Sequence, residues 1–255
     1  MSKVLPILIT ENITKQFSGL TAVKDLSIQV GEEEITSIIG PNGAGKTTLF
    51  NLLTGFSRPT WGEARFKGQK ITGLPPYRIT RLGMARTFQL TRIFPKLSVL
   101  DNIMLGCLGL KGDNPFYAVL KTKEILDQFY QTKEKALKTL ETVGLPEFAK
   151  EYANNLSYGQ QKLVEIGRAL ASDPQVLLLD EPMAGLSMTM IDRMIDLIFH
   201  LKKQGKAILF IEHNLGVVMD ISDRIFVLNF GQKIASGSPA EIRSNEEVID
   251  AYLGI

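Results

Sequence analysis

Lys46 and Thr47 close the run Gly40-Pro41-Asn42-Gly43-Ala44-Gly45-Lys46-Thr47, which fits G-x-x-x-x-G-K-[ST] without a mismatch and is followed by Thr48. Glycines in such a loop let the backbone bend until its N–H groups point inward at phosphate oxygens, and a helix start adds a partial positive charge. Lys46 would meet the outer phosphates as a point charge. Thr47 would offer its hydroxyl to Mg²⁺, an ion that takes oxygen ligands and keeps several waters. Charge-assisted bonds of about 1.5–3 kcal/mol each, several together, can hold a triphosphate. The plainer alternative is a glycine-rich turn with a chance lysine.

A second cluster follows the apolar run Val176-Leu177-Leu178-Leu179, which ends in Asp180-Glu181-Pro182. Ligands in open α/β sheets bind at the carboxyl ends of strands. Asp180 is expected there to hold Mg²⁺, directly or through water. Glu181, one residue further out, is expected to orient or deprotonate an attacking water near the terminal phosphate. Alone, the pair reads as two solvent-facing acids. Beside a phosphate loop it reads as the hydrolytic half of the same site. The third cluster is Leu156-Ser157-Tyr158-Gly159-Gln160-Gln161. Ser157 and Gln160 form a capping-box pattern, and a serine hydroxyl, a glycine backbone and a helix N-terminus together also make an anion site.

The elements that must carry these residues are legible in outline. Ile35–Ile39, β-branched and ending at Gly40, predicts a buried strand, and Lys46 to Thr54 a helix with Leu49, Leu52 and Leu53 on one face and Gly55 as its stop. Val4 to Val30 predicts strands and turns of an antiparallel patch. From Ser98 to Gly144 helical patterning takes over, with Glu134 and Lys138 spaced to pair. Leu163, Ile166 and Leu170 form one helical stripe after Ser157. Apolar runs return at Val176–Leu179, Ala207–Ile211 and Ile225–Leu228, the first two separated by a helical stretch, which implies a parallel sheet with crossover helices.

Length and composition bound the class. The chain has 255 residues, 44% hydrophobic and 22% charged, values of ordinary globular domains, and its length predicts one or two of them. Lys plus Arg is 29 against 27 acids, a net charge of +2, which is too little for a domain that lives by wrapping nucleic acid. With Cys107 as the single cysteine no internal disulfide is possible. No apolar run approaches the ~20 residues that span a bilayer, and Met1 to Thr10 does not read as a signal peptide. The chain is expected to reach a membrane only through partners. The stretch from Arg58 to Lys96, nine basic residues against Glu63, is either a solvated face or a surface near anionic headgroups or membrane subunits.

In order and spacing these segments resemble the ATP-binding cassette (ABC) ATPases, over essentially the whole chain. Leu156–Gln161 resembles the signature motif of that family, with Tyr158 where the pattern has glycine. The resemblance implies roles for several more residues. Phe17 is similar to the aromatic that stacks on adenine. Gln89, in Arg86-Thr87-Phe88-Gln89, is similar to the glutamine that senses Mg²⁺ and the transporter subunit. His213, in Ile211-Glu212-His213, is similar to the switch histidine at the γ-phosphate. Ala184-Gly185-Leu186-Ser187 resembles the D-loop, with Ser187 where Asp or Asn is common. The implied fold is a P-loop NTPase (RecA-like) α/β core with an antiparallel β subdomain and an inserted α-helical subdomain. The core would take 1–95 and 165–255, and the helical subdomain 96–164, in a single cassette.

Phe50-Asn51-Leu52-Leu53-Thr54-Gly55-Phe56, Arg86–Gln89, Ser157–Gln161, Ala251-Tyr252-Leu253-Gly254 and a long helical insertion near Gly106 to Lys135 further resemble one group. These are the ATP-binding subunits of branched-chain amino acid importers, in the same clan as urea and amide importers. The implied cofactors are ATP and Mg²⁺. The implied partners are a second cassette, identical or related, integral membrane permease subunits and, indirectly, a substrate-binding protein, with no nucleic acid. The implied place is the cytoplasmic face of the plasma membrane, peripherally. Each ATP would lie between Gly40–Thr48 of one cassette and Ser157, Gly159 and Gln160 of the other. A lipid-exporter cassette, a non-transport ABC protein and a non-hydrolysing ATP binder are the rival readings. The absence of sustained heptads, the single cassette, the modest charge and the intact Glu181 and His213 weigh against the last two.

Overall fold

The structure is a computed structural model that describes residues 6–108 and 123–253. The chain divides into two compact units, one made of Met1–Arg86, Gln175–Gly185 and Ile198–Ile255, the other of Thr87–Pro174 and Leu186–Leu197. Against the 96–164 expected for the helical part, the second unit thus begins earlier, ends later and takes in a further segment.

The first unit holds two sheets. Strand β1 (Pro6–Phe17) pairs antiparallel with β2 (Leu20–Leu26), β3 (Gln29–Gly31) and β5 (Trp61–Phe66), and β5 with β6 (Gln69–Lys70). This is the antiparallel patch expected from Val4 to Val30, extended by a hairpin that the sequence reading left out. The second sheet has the order β11-β10-β4-β9-β8-β7. Its strands are β4 (Ile35–Ile39), β7 (Met84–Arg86), β8 (Val176–Asp180), β9 (Ala207–Ile211), β10 (Arg224–Asn229) and β11 (Gln232–Gly237). All its pairings are parallel except β10 with β11. Every residue of β4, β8 and β9 is buried, as central strands covered on both faces require. Helix α1 (Lys46–Leu53) leaves β4 through the phosphate loop and packs Leu49, Phe50, Leu52 and Leu53 into one apolar cluster with Leu8, Ile13, Phe66, Leu178 and Leu209. Helix α2 (Pro76–Leu82) leads into β7, which is too short to show in an apolar pattern.

The second unit is helical among its described residues. It contains α3 (Val99–Met104), α4 (Lys123–Thr142) and α5 (Tyr158–Leu170). The insertion expected near Gly106 to Lys135 is seen as helix from Lys123 onward; residues 109–122 lie outside the described part. Ser98 caps α3 by accepting the Asp101 N–H at 3.0 Å, and Glu134 pairs with Lys138 at 2.8 Å as its spacing predicts. Helix α6 (Met188–Lys203) starts in this unit and ends in the first. The first unit closes with α7 (Leu215–Ile221), α8 (Pro239–Arg243) and α9 (Glu246–Leu253).

The basic stretch from Arg58 to Lys96 is not one face. Arg65 and Lys70 both pair with Glu63, Arg86 points into the interior, and Arg78 and Arg81 are exposed on α2. No described helix is long and apolar enough to cross a membrane.

Candidate functional site

The phosphate loop is built by β4 and α1. Gly45 stands at the N-cap with φ 97°, a left-handed conformation that glycine adopts without steric cost, and no side chain caps the helix. The first N–H groups of α1 are therefore left for an outside acceptor. A Cβ on Gly45 would run into the Ala22 carbonyl of β2, so the loop and the β1–β2 hairpin are in close contact. Phe17 lies at the turn end of that hairpin, opposite Leu20, with about half of its surface exposed and the Lys15 ammonium 4.8 Å from its ring centre. A flat exposed aromatic in this position can receive a planar base. Tyr252 of α9 reaches the other end of the loop. Burial pushes its phenol up to about 12, and the Gly40 backbone N–H beside it pulls the opposite way.

Lys46 folds back over the loop, donating to the carbonyls of Gly40 at 2.7 Å and Pro41 at 3.0 Å. Burial lowers its pKa, while the carboxylates of Glu181 and Asp180 pull it back up. The acids of the second cluster thus act electrostatically on the lysine of the first. Lys46→Ala is expected to weaken ATP binding by about 10- to 150-fold for each charge-assisted bond lost. Calorimetric titration with ATP and Mg²⁺ reads this, and an unchanged affinity would remove the loop from the site.

Asp180 ends β8, 2% exposed, and one of its oxygens accepts from Arg86 at 2.8 Å. Burial pushes its carboxyl up, with Arg86 opposing. The other oxygen, Oδ1, is buried and has no hydrogen-bond partner among the described residues. Arg86 is itself held by Asn51 Oδ1 at 2.7 Å and Thr54 Oγ1 at 3.2 Å, between the rings of Phe50 and Phe56. An unpaired hard oxygen on Asp180 and the exposed hydroxyl-bearing Thr47 in the first turn of α1 suit Mg²⁺. Among the described residues no three His, Cys, Asp or Glu side chains gather around one point. A divalent ion here would therefore lean on nucleotide oxygens and water, as Mg²⁺ does in phosphate-transfer sites.

Glu181 turns sharply out of the strand with φ 50°, a strained conformation for a residue with a side chain. Its backbone N–H donates to the Ile211 carbonyl at 3.0 Å, and its Oε1 lies 2.9 Å from His213 Nε2. The acid at the end of β8 and the histidine beyond β9 are thus one hydrogen-bonded pair. A carboxylate in contact with an imidazole can accept a proton from water while the imidazole holds a neighbouring anion.

The remaining sequence candidates lie on the second unit. Gln89 is exposed. Ser157 caps α5 by accepting the Gln160 N–H, while the Gln160 side chain accepts the Ser157 N–H at 2.9 Å. The expected capping box is present. A Cβ on Gly159 would come to 2.9 Å from Met190 Cε, so this position must stay bare for α5 to seat beside α6. Tyr158, in place of the family's glycine, simply opens the helix with its ring outward and Lys162 5.4 Å from the ring centre. Ser187 closes the loop after Glu181 by accepting the N–H groups of Met190 and Ile191.

Three side chains have roles that their place in the sequence does not reveal. Arg86 stands three residues before Gln89 and Glu212 directly before His213, with nothing local to name their partners. Glu165, on α5, is buried and accepts the Phe88 N–H at 3.2 Å, bracing the segment before Gln89. Each is a charged residue next to an apolar run, a signal that flags a buried ion without naming its partner.

Comparison with known proteins agrees with this geometry. The family model described as "ABC transporter" matches residues 23–184, and that described as "Branched-chain amino acid ATP-binding cassette transporter" matches residues 232–255. The chain is 42% identical over 250 residues to a high-affinity branched-chain amino acid transport ATP-binding protein, LivG, of Salmonella typhimurium, with 98% of each chain covered. A solved ATP-binding cassette of an ABC transporter in its ADP conformation superposes with a TM-score of 0.85 at 34% identity, covering 98% of this chain and 100% of that one. A bacterial ABC transporter cassette solved as a dimer superposes with a TM-score of 0.74 at 27% identity, covering 91% and 98%. Loop, strand-end carboxylates and whole-length likeness lead to one assignment: the chain belongs to the ABC transporter family and is one of its ATP-hydrolysing cassettes.

Proposed function

We propose that this cassette powers a membrane importer for branched-chain or other amino acids, closing around ATP with a second cassette and opening after hydrolysis. The observation that carries the hydrolytic reading is the 2.9 Å contact of Glu181 Oε1 with His213 Nε2, next to an Asp180 whose Oδ1 is buried without a hydrogen-bond partner among the described residues. Gly40, Pro41, Asn42, Gly43, Ala44 and Gly45 wrap the phosphates with their backbone, Lys46 neutralises the outer ones, and Thr47 and Thr48 open the helix beneath them. Phe17 stacks on the base. Thr47 and Asp180 would hold Mg²⁺, which would supply charge neutralisation on the phosphate oxygens, and the resemblance gives Gln89 a part in sensing that ion. Glu181 orients and deprotonates the attacking water, and His213 holds the terminal phosphate.

The signature residues Ser157, Gly159 and Gln160 present a capped helix start to the nucleotide of a second cassette. ATP then bridges two surfaces that lack affinity for each other once the terminal phosphate has left. A difference in affinity between two states is what shifts a conformational equilibrium, here in permease subunits at the cytoplasmic face of the plasma membrane. The likeness to LivG and the match of residues 232–255 support the amino-acid reading.

Solute uptake in cells lacking this chain tests it. Loss of leucine, isoleucine and valine uptake, restored by the parent chain and not by Glu181→Gln, is the expected result. Loss of urea or short-amide uptake instead would move the cassette to that neighbouring group, and unaltered uptake of all of them would overturn the importer reading.

A further inference from the structure

The Glu181–His213 pair is held by a buried side chain that lies outside the phosphate loop. The ladder between β8 and β9 ends at Asp180 opposite Ile211. Beyond it Glu181 turns left-handed and Pro182 offers no N–H. The first N–H available past Glu181 is that of Met183, and it donates to Glu212 Oε1 at 2.8 Å. The other carboxylate oxygen, Oε2, accepts the N–H of His213 at 3.0 Å. Glu212 is only 3% exposed.

Buried carboxylates are costly unless hydrogen-bonded, and both of these acceptances go to the two segments that carry the reactive pair. A closed ring results: Glu181 side chain to His213 side chain, His213 backbone to Glu212, Glu212 to Met183, and Met183 through Pro182 back to Glu181. We propose that Glu212 is a positioning residue of the hydrolytic site, its two oxygens setting the separation of Glu181 from His213 after the sheet can no longer do so. The inference rests on the assignment of Glu181 and His213 given above.

An amide in place of this carboxylate has one acceptor oxygen and one NH₂, so it can receive one N–H and must confront the other with a donor. Glu212→Gln therefore breaks one of the two brackets with almost no change of shape. In the full-length cassette with its companions, kcat for ATP is expected to fall about tenfold, a barrier change of about 1.4 kcal/mol, while KM for ATP stays within about threefold. The chain has two histidines, so ¹⁵N-histidine labelling gives a direct view of the ring. The His213 imidazole signals are expected to shift in Glu212→Gln, and those of His200, on α6, to stay in place.

Parent-like kcat in Glu212→Gln, with Glu181→Gln inactive, would overturn this inference alone. So would a fall in kcat with the His213 signals unmoved, since a role confined to stability leaves that ring undisturbed. Full turnover by Glu181→Gln would overturn the site assignment and this inference with it. Glu212→Ala, which removes both brackets, is expected to fold, bind ATP and lose more kcat than Glu212→Gln. If neither variant folds, Glu212 belongs to the stability of the sheet and the proposal fails.

Discussion

Glu181→Gln should keep ATP binding and lose hydrolysis by about 10²- to 10⁴-fold, the range that a positioned general base contributes. Glutamine has the same length and carries the same backbone demand, so the left-handed turn at φ 50° is no harder to form than in the parent. Its amide can still meet His213 Nε2, where Glu181 Oε1 now lies at 2.9 Å. What it cannot do is take a proton from water. The nucleotide therefore stays intact, and with it the bridge between two cassettes. Phosphate release at saturating ATP and Mg²⁺ measures the first effect. Size-exclusion chromatography in the same buffer measures the second, as a shift of the variant toward the dimer. Turnover within a few-fold of the parent would remove Glu181 from the role of base and leave His213 or a solvent path in its place.

Arg86→Met is expected to cost about 3–5 kcal/mol of folding stability, the range for removing one member of a buried ion pair. Arg86 and Asp180 are 5% and 2% exposed, and 2.8 Å separate them. Methionine fills the slot between Phe50 and Phe56 but leaves Asp180 without its cation and Asn51 and Thr54 without their donor. Burial already raises the Asp180 carboxyl above its ordinary value with Arg86 in place, and without Arg86 it rises further. A carboxyl whose pKa is higher folded than unfolded is a stability debt only when ionised. The deficit of Arg86→Met relative to the parent is thus small at acidic pH, where both forms hold Asp180 protonated, and grows as pH rises from the parent's raised folded value through the variant's still higher one. Urea unfolding at neutral and at mildly acidic pH reads both parts. A loss below about 1 kcal/mol at neutral pH, or a deficit that widens on acidification, would show that the pair behaves as a surface contact.

The residues of the site divide by how far apart in the chain their partners lie. Gly40 to Thr48 was legible from sequence because every requirement is local: a left-handed glycine, a buried strand before it, a helix after it. Asp180 and Glu181 were legible because a short apolar strand announces its own end. Ser157 and Gln160 were legible because a capping box closes within one helical turn. His213 could be found only by its resemblance to a family pattern, since nothing in Ile211-Glu212-His213 points to Glu181, 32 positions away.

Arg86 with Asp180, 94 positions apart, and Glu212 with Met183, 29 apart, were beyond reach. Both depend on the strand order β4-β9-β8-β7, which puts β9 and β7 on either side of β8. Apolar periodicity says that Val176–Leu179 and Ala207–Ile211 are strands. It does not say which edge of one meets the other, because all-buried strands carry no alternation to set a neighbour or a register. The chain's own chemistry therefore determined that phosphate would be bound and where the acids would stand. Packing alone decided which buried cation holds the Asp180 carboxylate and which buried anion holds the acid beside its histidine, because a charge inside a protein must find its partner through space.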